Sequence, residues 1–336
     1  MAAVEAILAD VAWVDGQYVP RAELTVPVGD AGFVLGATVT EQLRTFHGRP
    51  FLVEEHLARL GESAAIVGIE LPLPLADVAS AAAHVAAHNH SRAAADAVAP
   101  GPDLGIVIFL TPGDVPAQHG GRSGRARMAL HTFPLAFSMW AAAYAHGLAL
   151  RSVSVRQVPE ACWPLRAKVR SRLHYFLADR EAHAAEPGAR AVLAHLDGRI
   201  SETSTANVAV VRGGAIVAPL PTDALPGVSL AYARRLAETL GIAWREESLR
   251  AADLAAADEI LLTSTPNCIL PATRFDGRPV GDARPGPVFR ALMAAWSAAV
   301  GLDIAAQARA GAASAPLRPA TAATPTGQLP DASSDP

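Results

Sequence analysis

The sequence predicts an α+β protein of two domains. Three observations carry that prediction. The chain has 336 residues, enough for two units at roughly 150 residues each. Short alternating strands are joined by hairpin dipeptides. Helical patterns lie among them without the regular βαβα alternation of a doubly wound fold.

In chain order, Val11 to Val14 and Gln17 to Val19 flank Asp15-Gly16, a pair that accepts the left-handed φ of a two-residue hairpin. His47-Gly48, Asp197-Gly198, Gly213-Gly214 and Asp276-Gly277 repeat the signal, so antiparallel sheet is expected. Apolar residues at helical spacing predict helices over 54–67, 76–89, 171–185, 228–240 and 286–300, the fourth stopped by Gly241. The Gly/Arg-rich loop 118–127 and the Pro-bearing segment 132–138 read as a hinge. They divide the chain into an N-terminal domain 1–133, a linker 134–141 and a C-terminal domain 142–304. Residues 305–336 turn to Ala, Thr, Ser and Pro with no aromatic residue, which predicts a disordered tail.

Composition narrows the function classes. Lys and Arg number 28 against 32 Asp and Glu, a net charge of -4 with no basic block, so a general nucleic-acid binder is excluded. The hydrophobic share is 51%, yet no 18 apolar residues run uninterrupted, so no spanning helix and no membrane partner are expected. Met1 to Asp10 carries an acid and no basic n-region, unlike a secretory signal. Two cysteines, Cys162 and Cys268, make no disulfide framework, and the expected location is the reducing cytoplasm.

Neither a Gly-x-Gly-x-x-Gly after a strand nor a P-loop is present. His84, His88 and His90 have no Cys or carboxylate beside them in sequence, and no metal is expected. The informative count is 27 arginines against a single lysine, Lys168. Only the amine of Lys can lose its proton and attack a carbonyl to form a Schiff base.

Other pieces point to an anion. Arg59 lies with His56 and Ser63 on one flank of a predicted helix, where a guanidinium could clamp a phosphate. Leu225-Pro226-Gly227-Val228-Ser229 opens a helix whose free amides suit an anion, and Thr263-Ser264-Thr265-Pro266-Asn267 ends a strand with three hydroxyls. Glu202 sits in the polar run Ser201 to Asn207 against an apolar strand, and a carboxylate near a core needs a cation. A carbonyl, a phosphate and a cationic ring nitrogen occur together in pyridoxal 5'-phosphate.

Over residues 12–304 the chain resembles the class IV aminotransferases, the fold-type IV pyridoxal-phosphate enzymes. These include branched-chain amino acid aminotransferases, D-amino acid aminotransferases and aminodeoxychorismate lyases. The resemblance rests on Asp15-Gly16, Gly29-Asp30-Ala31-Gly32-Phe33, Thr40-Glu41-Gln42-Leu43-Arg44, Gly48-Arg49-Pro50-Phe51 and Glu55-His56-Leu57-Ala58-Arg59-Leu60 in the first half. Ala167-Lys168, the segment Glu202 to Asn207, Leu225 to Ser229, Ala257-Asp258-Glu259 and Gly286-Pro287-Val288 complete it.

The resemblance implies a small N-terminal α+β domain, a larger C-terminal pseudo-barrel domain, the cofactor between them and a homodimer that completes each site. By position, Lys168 would be the Schiff-base lysine, Arg59, Val228, Ser229 and Thr265 the phosphate ligands, and Glu202 the partner of the pyridine nitrogen. Substrate contacts would come from Thr40, Arg44, His119 and Asn267. The activity implied is ping-pong amino transfer between a branched-chain-like amino acid and a 2-oxo acid. The alternatives are a pyruvate-releasing lyase and a catalytically silent cofactor-binding protein. The chain departs from the branched-chain enzymes at Leu173, where they carry tyrosine, and at Pro266, which has no N–H. Ala117-Gln118-His119 stands where D-amino acid enzymes place Arg-x-His, and Arg172-Leu173 fits the lyase pattern.

Overall fold

The five hairpin dipeptides all turn the chain back on itself in the computed structural model, which describes residues 10–95 and 103–314. Asp15, His47 and Asp276 take positive φ (49°, 53° and 50°) and each is followed by a left-handed glycine. This double left-handed backbone matches the twist of paired strands.

The first half forms one antiparallel sheet. Its strands are β1 (Val11–Val14), β2 (Gln17–Pro20), β3 (Val39–Phe46), β4 (Arg49–Pro50), β5 (Leu104–Thr111) and β6 (Arg127–Pro134), in the order β2-β1-β6-β5-β3-β4. Helices α1 (Val53–Val67) and α2 (Leu75–Ala95) cover one face and bury Leu57, Leu60, Val78 and Val85 against Leu43, Ile106 and Ile108. Helix α1 stops at Gly68, whose φ of 77° suits a residue without Cβ.

The second half is built on a nine-stranded sheet. Its strands are β7 (Leu148–Arg156), β8 (Arg190–Ala194), β9 (Ile200–Thr203), β10 (Asn207–Arg212), β11 (Ala215–Ala218), β12 (Trp244–Glu246), β13 (Glu259–Ser264), β14 (Cys268–Phe275) and β15 (Arg278–Pro279). Because β10 pairs with both β13 and β9, strands β7, β8, β9, β10, β13 and β14 close into a barrel. Helix α3 (Leu173–Ala185) packs Ala178 and Ala182 beside Val153 and Leu193. Helices α4 (Val228–Thr239) and α5 (Pro287–Val300) cover β13 and β14, with Phe289, Leu292 and Trp296 buried.

The connection between the halves is packed. It contains a 3-10 turn at Phe137–Met139 and a helical turn at Ala143–His146, and Phe137, Trp140 and Tyr144 are buried in the barrel-side core.

The structure corrects the expectation of disorder from residue 305. Gly301 turns left-handed (φ 65°), and Ile304–Ser314 then forms helix α6 against the Phe137–Met139 turn. Ile304 is 1% exposed and Ala308 0%, at i and i+4 on one face. Alanine is both the best helix former and small enough to bury at close approach, so an Ala-rich segment lacking large apolar residues still packs. Residues 315–336 and Met1 to Ala9, on which the remaining tail and leader readings rest, lie outside the described residues. Among the described residues no single helix is long and apolar enough to cross a membrane.

Candidate active site

Lys168 lies on the seam between the two sheets. Its backbone N–H donates to Ser63 Oγ (3.1 Å) on α1, and its carbonyl accepts from the backbone N–H of Thr40 (3.0 Å) on β3. A β-bridge between Val39 and Val169 adds a third tie. Helix α1 and strand β3 thus hold the lysine from the side opposite the barrel. A cavity of about 300 Å³ opens here, within the usual size of a small-molecule site. Lys168, Arg59, Thr40, Glu202, Val228, Ser229, Thr265 and Asn267 all line it. Burial, with Arg59 close by, pulls the Lys168 amine down from 10.5 to about 8, so an appreciable fraction is neutral near physiological pH.

At one end of the cavity stands Arg59. Its Nε and Nη2 donate to Glu41 Oε1 (2.7 Å) and Oε2 (2.8 Å), and its Nη1 donates to the Pro226 carbonyl (2.7 Å). His56 Nδ1 lies 2.7 Å from Glu41 Oε2. The three side chains are buried, and Glu41 is 0% exposed. Burial would raise the Glu41 carboxyl, but the charge and hydrogen bonds of Arg59, with His56, outweigh it and hold it at about 2. Burial also lowers the His56 imidazole, so Glu41 is balanced chiefly by Arg59. The polar stripe His56, Arg59, Ser63 on α1 therefore faces the seam: two members bind Glu41 and the third binds Lys168.

Beside it, past the Pro226 carbonyl, lies the first turn of α4. Gly227 caps it without a side-chain hydrogen bond, so the leading amides at Val228 and Ser229 have no capping partner. Glycine is required at 227, because a Cβ there would stand 1.9 Å from Asn207 Oδ1. Glu202 sits behind, accepting from Tyr175 Oη (2.7 Å) and Asn207 Nδ2 (3.1 Å). Asn207 also donates to the Leu225 carbonyl (2.8 Å), which joins Glu202 to the α4 entry. Burial raises the Glu202 carboxyl, opposed by Tyr175 and by the charge of Lys168. Arg172 stacks 4.9 Å over the Tyr175 ring and bonds the Ser204 carbonyl.

The donor set fits pyridoxal phosphate. Arg59 spends three of its five N–H groups on Glu41 and Pro226, leaving two for a ligand. Thr263 Oγ1 and Asn267 Oδ1, both on the cavity, are buried without a partner, which is costly unless a ligand or water supplies one. An uncapped helix start offers N–H groups to an anion, and Glu202 is a buried acceptor for a cationic ring nitrogen.

The amino-transferase class IV family model matches residues 38–275, more than half of the chain. The chain belongs to the class IV aminotransferase family. It is 27% identical over 283 residues to the D-alanine aminotransferase of Bacillus licheniformis, covering 84% of this chain and 94% of that one. Its fold is similar to the branched-chain amino acid aminotransferase of Escherichia coli (TM-score 0.75, 26% identity, 88% and 94% covered). It is also similar to the T.th. branched-chain amino acid aminotransferase solved with pyridoxamine 5'-phosphate (TM-score 0.76, 25% identity, 87% and 95% covered). The pseudo-barrel expected from the resemblance is the closed barrel of β7, β8, β9, β10, β13 and β14 described above.

Within this class IV site the structure departs from one substrate-contact expectation. Arg44 is off the cavity: it is buried, with Nη1 on the Pro266 carbonyl (3.0 Å) and Nη2 on Gln307 Oε1 (2.9 Å), so its fork is spent inside the protein. His119 follows the 3-10 turn Pro116–Gln118 on an exposed loop and does not line the cavity of its own chain, so its expected substrate contact belongs to the homodimer reading. Thr40 does line the cavity, but its hydroxyl donates to the Ile108 carbonyl (2.9 Å). Glu41, Tyr175 and Gln157 are the site residues that sequence reasoning missed. Glu41 carried a signal, an acid in alternation register with Val39 and Leu43 on the strand Val39–Phe46. Tyr175 carried none, because an aromatic at helical spacing reads as core. Gln157 Nε2 donates to Tyr175 Oη (3.1 Å) and closes the network behind Glu202. Away from the site, His84 stacks on Tyr18, and no group of three or more potential metal ligands occurs among the described residues.

Proposed function

We propose that the protein transfers an amino group between an amino acid and a 2-oxo acid by a ping-pong route, with Lys168 as the catalytic residue. One observation carries the reading: the chain's single lysine, its amine lowered to about 8, shares a cavity with a buried carboxylate, an arginine and an uncapped helix start. When bound, pyridoxal 5'-phosphate supplies a carbonyl for that amine and a ring that withdraws electrons from the substrate.

In this reading Lys168 holds the cofactor covalently and, with its amine free, moves a proton at the substrate Cα. Arg59, the amides of Val228 and Ser229, and Thr265 hold the phosphate, Glu41 having fixed the direction of the guanidinium. Glu202 keeps the pyridine nitrogen protonated, and Tyr175 with Asn207 fixes both of its oxygens. Thr40 and Asn267 border the substrate space. Met139, Trp140, Trp163 and Leu165 give that space an apolar wall, which supports a branched-chain-like side chain. A homodimer belongs to the same reading. Val26, Val28, Phe33, Val34 and Leu35 form a run of exposed apolar side chains that a second copy would cover. The cysteines, Cys162 exposed and Cys268 buried, are free, in keeping with a reducing cytoplasm.

The test is a panel of L- and D-amino acids, branched and unbranched, added to purified protein loaded with pyridoxal phosphate. Bleaching of the cofactor's visible absorption, restored by a 2-oxo acid, supports transfer. Pyruvate released from aminodeoxychorismate with no acceptor would replace transfer by the lyase reading, and no bleaching with any donor would leave only cofactor binding.

A further inference from the structure

The turn between β13 and β14 carries Thr265, Pro266 and Asn267 to the cavity and ends in a strained residue. Cys268 has φ 61°, left-handed for a side chain that rarely adopts it. Such backbone persists only where its surroundings over-determine it. Two groups do so here. Tyr144 Oη donates to the Asn267 carbonyl (2.7 Å), and Arg44 Nη1 reaches both the Pro266 carbonyl (3.0 Å) and Cys268 Sγ (3.6 Å).

Arg44 is on β3, in the other sheet. Its guanidinium lies 4.1 Å over the Phe46 ring, and its Nη2 donates to Gln307 Oε1 (2.9 Å) on α6. Gln307 is held in turn by donating to Asp103 Oδ2 (2.7 Å). Asp103 is buried, and its other oxygen accepts from Thr45 Oγ1 (2.9 Å) and the Gly48 N–H (3.1 Å). The chain Asp103–Gln307–Arg44–Pro266 thus runs from the first sheet, through the last helix, to the floor of the cavity.

We propose that Arg44 is a positioning residue of the active site and that Gln307 of helix α6 is its clamp, making the C-terminal helix part of the catalytic unit. Arg44 touches neither cofactor nor substrate. It holds the turn that points Thr265 and Asn267 into the cavity, and Gln307 prevents its guanidinium from swinging away. This rests on the functional reading above, in which Thr265 meets the cofactor's phosphate.

The experiment compares Gln307→Leu, which keeps volume and removes both hydrogen bonds, with Ile304→Val, which weakens helix docking without touching the strut. Pyridoxal phosphate is titrated onto each cofactor-free protein well below its Tm, and the Tm is recorded separately. The expected result is a roughly two- to thirtyfold weaker cofactor affinity for Gln307→Leu, the span typical of mutations that act through a connecting network. Ile304→Val should lower Tm with affinity unchanged. Should Gln307→Leu fail to fold, Gln307→Asn, the same amide one methylene too short to reach both partners, takes its place with the same expectation. Affinity unchanged while Tm falls in both proteins would overturn the proposal and leave α6 a purely structural helix. A wild-type protein that takes up no pyridoxal phosphate would instead overturn the functional reading, and the proposal with it.

Discussion

Glu41→Gln should cost the folded protein about 3 to 5 kcal/mol, although Glu41 touches no ligand. The carboxylate is wholly buried and accepts two hydrogen bonds from Arg59 and faces His56, all within 2.8 Å. Removing one partner of a buried pair leaves an uncompensated charge, typically a loss of about 3 to 5 kcal/mol. A second route gives a similar figure: holding the carboxyl at about 2 instead of 4.5 is worth about 3 kcal/mol at neutral pH. The sign follows from the lowered value. This stabilisation is complete above pH 4.5 and is lost as pH falls toward 2, because the unfolded chain takes up the proton first. Urea unfolding of the cofactor-free protein at pH 7 and at pH 3 measures both. Wild type should lose part of its stability between the two, and Glu41→Gln should lose less. A variant within about 1 kcal/mol of wild type at pH 7 would refute the reasoning, since Arg59 would then have another way to be neutralised.

Lys168→Arg should keep the fold and lose covalent capture of pyridoxal phosphate, because guanidinium forms no imine; borohydride labelling of one peptide in wild type and none in the variant checks it. The capture rate of wild type should rise with pH and level off above about 8, where the amine is mostly neutral; a rise continuing past pH 10 would show an unperturbed lysine. Glu202→Gln should bind the cofactor nearly as well but slow each half-reaction by roughly a hundredfold or more, as loss of a preorganised electrostatic partner does. Equal losses of binding and rate would make Glu202 a structural residue. Truncation before Ile304 should lower Tm by several degrees or more, since Ile304 and Ala308 are buried and Gln307 bonds two side chains. An unchanged Tm would show that α6 adds nothing to stability.

Local chemistry made much of the protein legible in the sequence. The five hairpin dipeptides fix left-handed backbone within two residues, and the structure turns at each. A lone lysine among arginines marks a position where charge alone does not suffice, and Lys168 does line the cavity. The stops of α1, α4 and α5 depend on Gly68, Gly241 and Gly301, whose left-handed backbone is a local property. What a side chain meets across the fold is different. His56, Arg59 and Ser63 read as one polar flank, but only the approach of β3 decides that two of them bind Glu41 and the third the Lys168 backbone. Arg44 reads as a ligand for a substrate acid until a residue 263 positions later takes up its fork. Helix α6 has too little apolar area to order itself. It forms because the Phe137 turn and the Arg44 and Asp103 side chains that bind Gln307 are already there, and only tertiary structure brings such partners together.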